Sequence, residues 1–231
     1  RRVLAMPRRN LVRIVGGVSV ALSVVAGSAC SGSSTVESTQ GTEPGQTPSS
    51  SVVTADDIPG DIFEDSWARL PLLRRETLDS DGQRAYDVIV HPDSRYASGL
   101  RAPIGMWAYS PQMAEGLFPA STYLRFGTEK DQSLTELVIL ATAREVRSQY
   151  EWTSHEPAGE SAGLEPEIID LVRRRADLDT VGEIAGFGDR ERTIVAFVRE
   201  VVTEEKVTSA TFSQALELFG QLGVMDLAGL V

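Results

Sequence analysis

Four polar residues between Ser133 and Gly163, namely Glu136, Ser148, Glu151 and His155, are spaced so that one helical hairpin can bring them together. Read as helix, Ser148, Glu151 and His155 fall at i, i+3 and i+7 and form one polar stripe. Glu136 lies in the apolar segment before them, and an antiparallel turn would carry it to the same pocket. A carboxylate within hydrogen-bond reach of an imidazole fixes the ring's tautomer and strengthens it as a base, giving a pair able to move protons near neutral pH. His155, Glu151 and Glu136 are therefore the candidate catalytic residues, with Ser148 and Trp152 as candidate substrate-pocket residues.

Each position also has a purely structural reading. Ser133-x-x-Glu136 is a capping box that would account for Glu136 by itself. Glu151 and His155 at i, i+4 can be a solvated surface pair worth about 0.2–0.5 kcal/mol. His91 precedes Pro92 and reads as a turn residue; Trp107, Tyr150 and Trp152 read as core or pocket wall. Two carboxylates and one histidine, with no His-x-x-x-His or Glu-x-x-His repeat, are a thin ligand set, so no metal is expected. No GxGxxG, GxxxxGK[ST] or GxSxG pattern occurs, which leaves no sign of a dinucleotide, phosphate or serine-nucleophile site, and no cofactor is expected.

The elements that must position these residues are helical. Residues 79–91 read as a helix capped by Asp79 or Ser80 and ended by His91-Pro92. Turn signals fill 94–110; Ser110-Pro111 then opens a helix to about Phe126, bent at Pro119 and closed by Gly127. A helix from the capping box through Arg147 is apolar almost all round and so belongs in the interior. The segment 149–162 stops at Gly163, and Glu165-Pro166-Glu167 opens a short helix ending in three arginines. Two amphipathic helices follow, 189–202 and 208–219, and an apolar tail, 224–231, reads as a final helix cut short. No segment alternates with period two, so the fold class is all-α.

Residues 1–30 have a different character. RRVLAMPRRNLVR is a basic stretch and IVGGVSVALSVVAGSA an apolar one, the pattern of an export signal. Cys30 stands where a bacterial lipoprotein carries its lipidated residue; cleavage near Ala29 as an ordinary signal is the alternative. Residues 31–55, rich in Ser, Thr, Gly and Pro, read as a flexible tether that would leave the domain at 56–231 on the outer face of a membrane. Met6 is a more natural start than Arg1. The chain carries a net charge of −11, and the first 30 residues hold five arginines and no acid, so the remainder is more acidic still. Nucleic acid is a poor partner for such a surface. A single cysteine in 231 residues permits no internal disulfide and no CxxC pair.

Leu134-Thr135-Glu136-Leu137-Val138-Ile139-Leu140, followed by Ser148-Gln149-Tyr150-Glu151-Trp152-Thr153-Ser154-His155-Glu156-Pro157, resembles the carboxymuconolactone decarboxylase family, which includes the alkylhydroperoxidase D-like proteins. Ser110–Ala114 and Tyr123–Gly127 resemble the helix that precedes that motif, and the likeness spans about residues 101–231. The resemblance implies an alkylhydroperoxidase D-like helical bundle that assembles into homotrimers or hexamers, with the site between packed helices. The peroxidase branch has Glu, eleven residues, Cys, two residues, Cys, three residues, His; here Ser148 and Glu151 replace both cysteines at the same spacing. Thiol-dependent peroxide reduction needs those cysteines. The decarboxylase branch, which works without a cofactor, is the better likeness. It implies a lyase or isomerase acting on a small organic acid or lactone, with His155 as acid or base and Glu151 or Glu136 orienting it. An antioxidant peroxidase and a non-catalytic binding protein are the alternatives.

Overall fold

The computed structural model describes residues 59–231; the export signal, Cys30 and the Ser/Thr-rich tether fall outside them. A 3-10 turn, Arg75–Thr77, precedes eight helices: α1 (Ser80–Ile89), α2 (Ala102–Trp107), α3 (Pro111–Thr122), α4 (Gln132–Glu145), α5 (Gln149–Ser161), α6 (Pro166–Arg174), α7 (Asp189–Thr203) and α8 (Ser209–Leu230). Among the described residues there is no strand, only an isolated bridge between Phe63 and Ala68. The all-α class is thus observed. No described helix is long and apolar enough to cross a membrane.

Helix α4 is the axis. Its apolar residues point in every direction, and Leu134, Leu137, Val138, Leu140, Ala141 and Ala143 are all buried. Such a helix must be covered on all sides, and α5, α6, α7 and α8 supply the cover, with Ile168, Leu171, Ile194 and Val198 packed against Leu137 and Leu140 in the main core. A second, smaller core joins Ala85 and Ile89 of α1 to Ala114 and Phe118 of α3, with Leu72 and Leu73 of the N-terminal arm packed against it.

Several local expectations are revised. Residues 94–110 are not all turn: α2 forms there, with Pro103 in its first turn where its missing N–H costs nothing. The helix opened by Ser110-Pro111 runs through Pro119 and then loosens into one π-helical turn, Tyr123–Gly127. The C-terminal segments form one element with a break at Gly220, whose φ of 65° only glycine adopts easily. The capping box is absent. Helix α4 begins one residue earlier, at Gln132 after Asp131, and the Glu136 side chain turns inward instead of back to the helix start.

The α4–α5 junction sets the geometry of the site. Arg147 takes a left-handed conformation (φ 59°), the amide of Ser148 donates to the Ala143 carbonyl at 2.8 Å, and that of Arg147 donates to the Arg144 carbonyl. This is the Schellman closure, with arginine where glycine is usual. Ser148 then caps α5, its hydroxyl accepting from the Glu151 amide at 3.4 Å. The hairpin is drawn tight at Gly159, where a Cβ would lie 3.3 Å from Leu140 Cδ1 and 3.7 Å from Glu136 Cβ. Gly159→Val should therefore push α5 off α4 and cost about 1–3 kcal/mol by overpacking. Urea denaturation measures this; unchanged stability would show that the helices do not need their close approach.

Candidate active site

The tight hairpin places His155, on the buried side of α5, directly over Glu136 in the first turns of α4. His155 Nδ1 lies 2.7 Å from Glu136 Oε2, a charge-assisted distance, and both residues are buried, Glu136 being only 3% exposed. The other oxygen of Glu136 accepts from the Gln132 side-chain amide at 2.9 Å. Burial by itself would raise the Glu136 carboxyl. The hydrogen bond and positive character of His155, the Gln132 amide and the nearby Arg125 guanidinium outweigh it and hold Glu136 below the ordinary glutamate range.

An ionised Glu136 is acceptor only, so the proton between the two groups belongs to Nδ1; in the neutral ring the lone pair is then on Nε2, and in the imidazolium both nitrogens donate. That nitrogen faces Glu151, whose Oε2 is 3.5 Å away at the partly exposed end of the pair. The two carboxylates therefore sit at opposite nitrogens of one ring, and the three groups do not converge on a single point. Consistently, no group of His, Cys, Asp and Glu among the described residues is arranged to hold a metal.

His155 and Glu151 open into a cavity of about 720 Å³. Its walls come from α2, α3, the π-helical turn, α4, α5 and the end of α8, so every part of the bundle except α1, α6 and α7 contributes. Trp107 and Tyr150 line it, as does Tyr96. Desolvation, and then the negative charge of Glu151, push the Tyr150 phenol up, which keeps it a proton donor toward the cavity. Gly229 brings α8 against Leu124 of the π-helical turn, a Cβ there being 3.3 Å from the Leu124 methyl groups. The turn is further held by Tyr123, whose hydroxyl donates to Asp226 at 3.3 Å, while Lys130 lies 3.7 Å from the same carboxylate.

Of the five candidates within the described residues, Glu136, Glu151 and His155 are brought together. Ser148 and Trp152 are not part of the cavity wall. Ser148 is occupied as the α5 cap. Trp152 packs beside the main core, donates through its indole N–H to Glu156 at 2.8 Å and lies under Arg173, which also contacts Glu156; it staples α5 to α6. Sequence reasoning missed Gln132 and the cavity arginines Arg95, Arg101 and Arg125. Gln132 stands four residues before Glu136, a helical spacing that marks it; the arginines carry no local signal.

Set against models of known protein families, characterised proteins and solved structures, the chain gives no match.

The depressed Glu136 carboxyl has a consequence for stability. Its ionised form adds stability that is fully present above the ordinary glutamate value of 4.5 and is lost as pH falls through the lower folded value. Glu136→Gln removes the charged acceptor and should cost about 1–3 kcal/mol at pH 7. The gap between wild type and variant should shrink progressively below pH 4.5. Urea unfolding midpoints across pH 3–7 measure it, and a gap independent of pH would contradict an ionised, buried Glu136.

Proposed function

We propose that this chain is a carboxymuconolactone decarboxylase-like protein with an alkylhydroperoxidase D-like bundle, and that it carries out cofactor-independent acid/base chemistry, as a lyase or isomerase, on a small organic acid or lactone. The observation that carries this reading is the 2.7 Å contact of His155 Nδ1 with buried Glu136, which turns Nε2 to Glu151 at the wall of a cavity large enough for a small molecule. In this reading Nε2 takes a proton from a carbon or oxygen of the substrate. The imidazolium so formed lies between Glu136 and Glu151, which stabilise it, and Glu151, the more exposed of the two, relays the proton to or from solvent. Gln132 is a positioning residue that fixes the Glu136 carboxylate plane.

A thiol peroxidase fits less well, because Ser148 and Glu151 stand where that chemistry needs cysteines and Ser148 is already committed to a helix cap. Assembly into a homotrimer or hexamer is part of the same proposal. It is supported by the outer face of α8, where Leu222 and Met225 are 64% and 68% exposed. Attachment to the outer face of a membrane through Cys30 belongs to the proposal as well and rests on the N-terminal sequence.

The test is to incubate the protein with a panel of small lactones and carboxylates in D₂O and follow C–H to C–D exchange and CO₂ release. His155→Gln should lower the rate by about 10²–10⁴-fold, with folding checked by circular dichroism, while Cys30→Ser should leave it unchanged. Turnover that survives His155→Gln would contradict the acid/base reading; a ligand bound but never turned over would favour the binding protein.

A further inference from the structure

We propose that Arg95, Arg101 and Arg125 form a carboxylate-binding subsite in the cavity, and that the ligand is a planar, unsaturated or aromatic carboxylate held with its anionic end on these arginines. The inference takes the acid/base reading of His155 as its frame and adds what the substrate must look like.

Three arginines, Arg95, Arg101 and Arg125, share one cavity wall in an acidic chain. In a chain of net charge −11, basic side chains find acids readily, and Arg69, Arg75, Arg84, Arg173, Arg175 and Arg199 all do so. Among the described residues, Arg74, Arg144, Arg147, Arg192 and Lys206 pair with no acid, and Arg95, Arg101 and Arg125 are three more. The last three are gathered in the wall of the one cavity that His155 opens into. Like charges brought together repel, and a bound anion relieves that cost.

Their supports leave the donors open. The Arg95 and Arg125 guanidiniums lie 4.7 and 5.0 Å from the centre of the same Phe126 ring, and Arg101 lies 5.5 Å from that of Tyr96. Stacking fixes a guanidinium plane without using its N–H groups. Arg101 spends one donor on the Arg95 carbonyl at 3.0 Å, which ties the two residues together. Arg125 Nε is buried with no hydrogen-bond partner, a donor that protein groups leave unsatisfied. A guanidinium offers five N–H donors in a fork that matches a carboxylate.

The surroundings define the rest of the ligand. Arg95 and Arg125 also line a neighbouring cavity of about 290 Å³, so the cations stand where the two spaces meet. Glu151 lines the larger space and Asp93 the smaller, and neither pairs with the arginines. Tyr96, Trp107 and Tyr150 line the same cavity and supply flat apolar surface, suited to a planar body.

Calorimetric titration of the full chain with benzoate, its neutral analogue benzamide and inorganic phosphate tests this. Benzoate should bind, with benzamide and phosphate each weaker by about tenfold or more. Arg125→Gln and Arg95→Gln should each weaken benzoate by about tenfold or more; Arg95 is exposed, so its variant reports even if the half-buried Arg125 is needed for folding. Benzoate and benzamide binding equally, phosphate competing on equal terms, or arginine variants that bind as the wild type does would overturn the subsite. Should the subsite fail while turnover still depends on His155, only the ligand class is wrong; should benzoate bind through the arginines while turnover ignores His155, only the acid/base reading is wrong.

Discussion

A glutamate carboxylate in the interior of a helical bundle is stable as an anion only if its surroundings replace the water it has lost. Glu136 meets that condition through His155 on one oxygen and Gln132 on the other, with Arg125 adding positive charge nearby. Much of the molecule can be understood as what is needed to hold this arrangement. Helix α4 must be buried to exclude water from Glu136, so it is apolar on every other face. Helix α5 must come close enough for a 2.7 Å contact, so Gly159 stands one turn after His155. The chain must reverse within three residues between the helices, so Arg147 accepts a left-handed backbone that costs about 1–2 kcal/mol.

The same arrangement turns a structural ion pair into a site with a direction. Because Glu136 accepts the hydrogen bond of Nδ1–H, the reactive nitrogen is the one that faces the cavity. The cavity is built by elements from both cores: α2 and α3 belong to the smaller one, α4 and α5 to the larger, and the π-helical turn and the end of α8 close the gap. Polar ties such as Tyr123 and Lys130 to Asp226 therefore affect the site although they touch none of its reactive groups. Glu145, held by Arg175 and Arg199, plays a comparable part at the far end of α4, joining it to α6 and α7.

What could be read from the sequence follows the range of the interactions. Local signals were reliable where one residue type has one dominant use: Asp79 caps α1, Gly163 ends α5, and Pro166 opens α6. The triad of Glu136, Glu151 and His155 was legible because two of its members share a helix and the third lies on the next. Glu136 was ambiguous because Ser133-x-x-Glu136 satisfies a local rule that the fold does not use; the helix starts from Asp131 instead, and the pull of His155 draws the carboxylate inward. Ser148 and Trp152 were misplaced for the opposite reason. Each has a partner close in the chain, Glu151 for one and Glu156 for the other, that draws the side chain away from the pocket. Arg95, Arg101 and Arg125 come from three different segments, and only the folded chain gathers them.

Glu136 holds a proton on Nδ1 of His155, so that Nε2 is the nitrogen turned to Glu151 and the cavity. The most direct measurement is ¹⁵N NMR of the imidazole nitrogens at neutral pH. Only His91 shares the spectrum, since the chain has two histidines. The account predicts a protonated, strongly hydrogen-bonded Nδ1 for His155, with that preference lost in Glu136→Gln. A proton found on Nε2 with Nδ1 bare, in the folded wild-type protein, would contradict it.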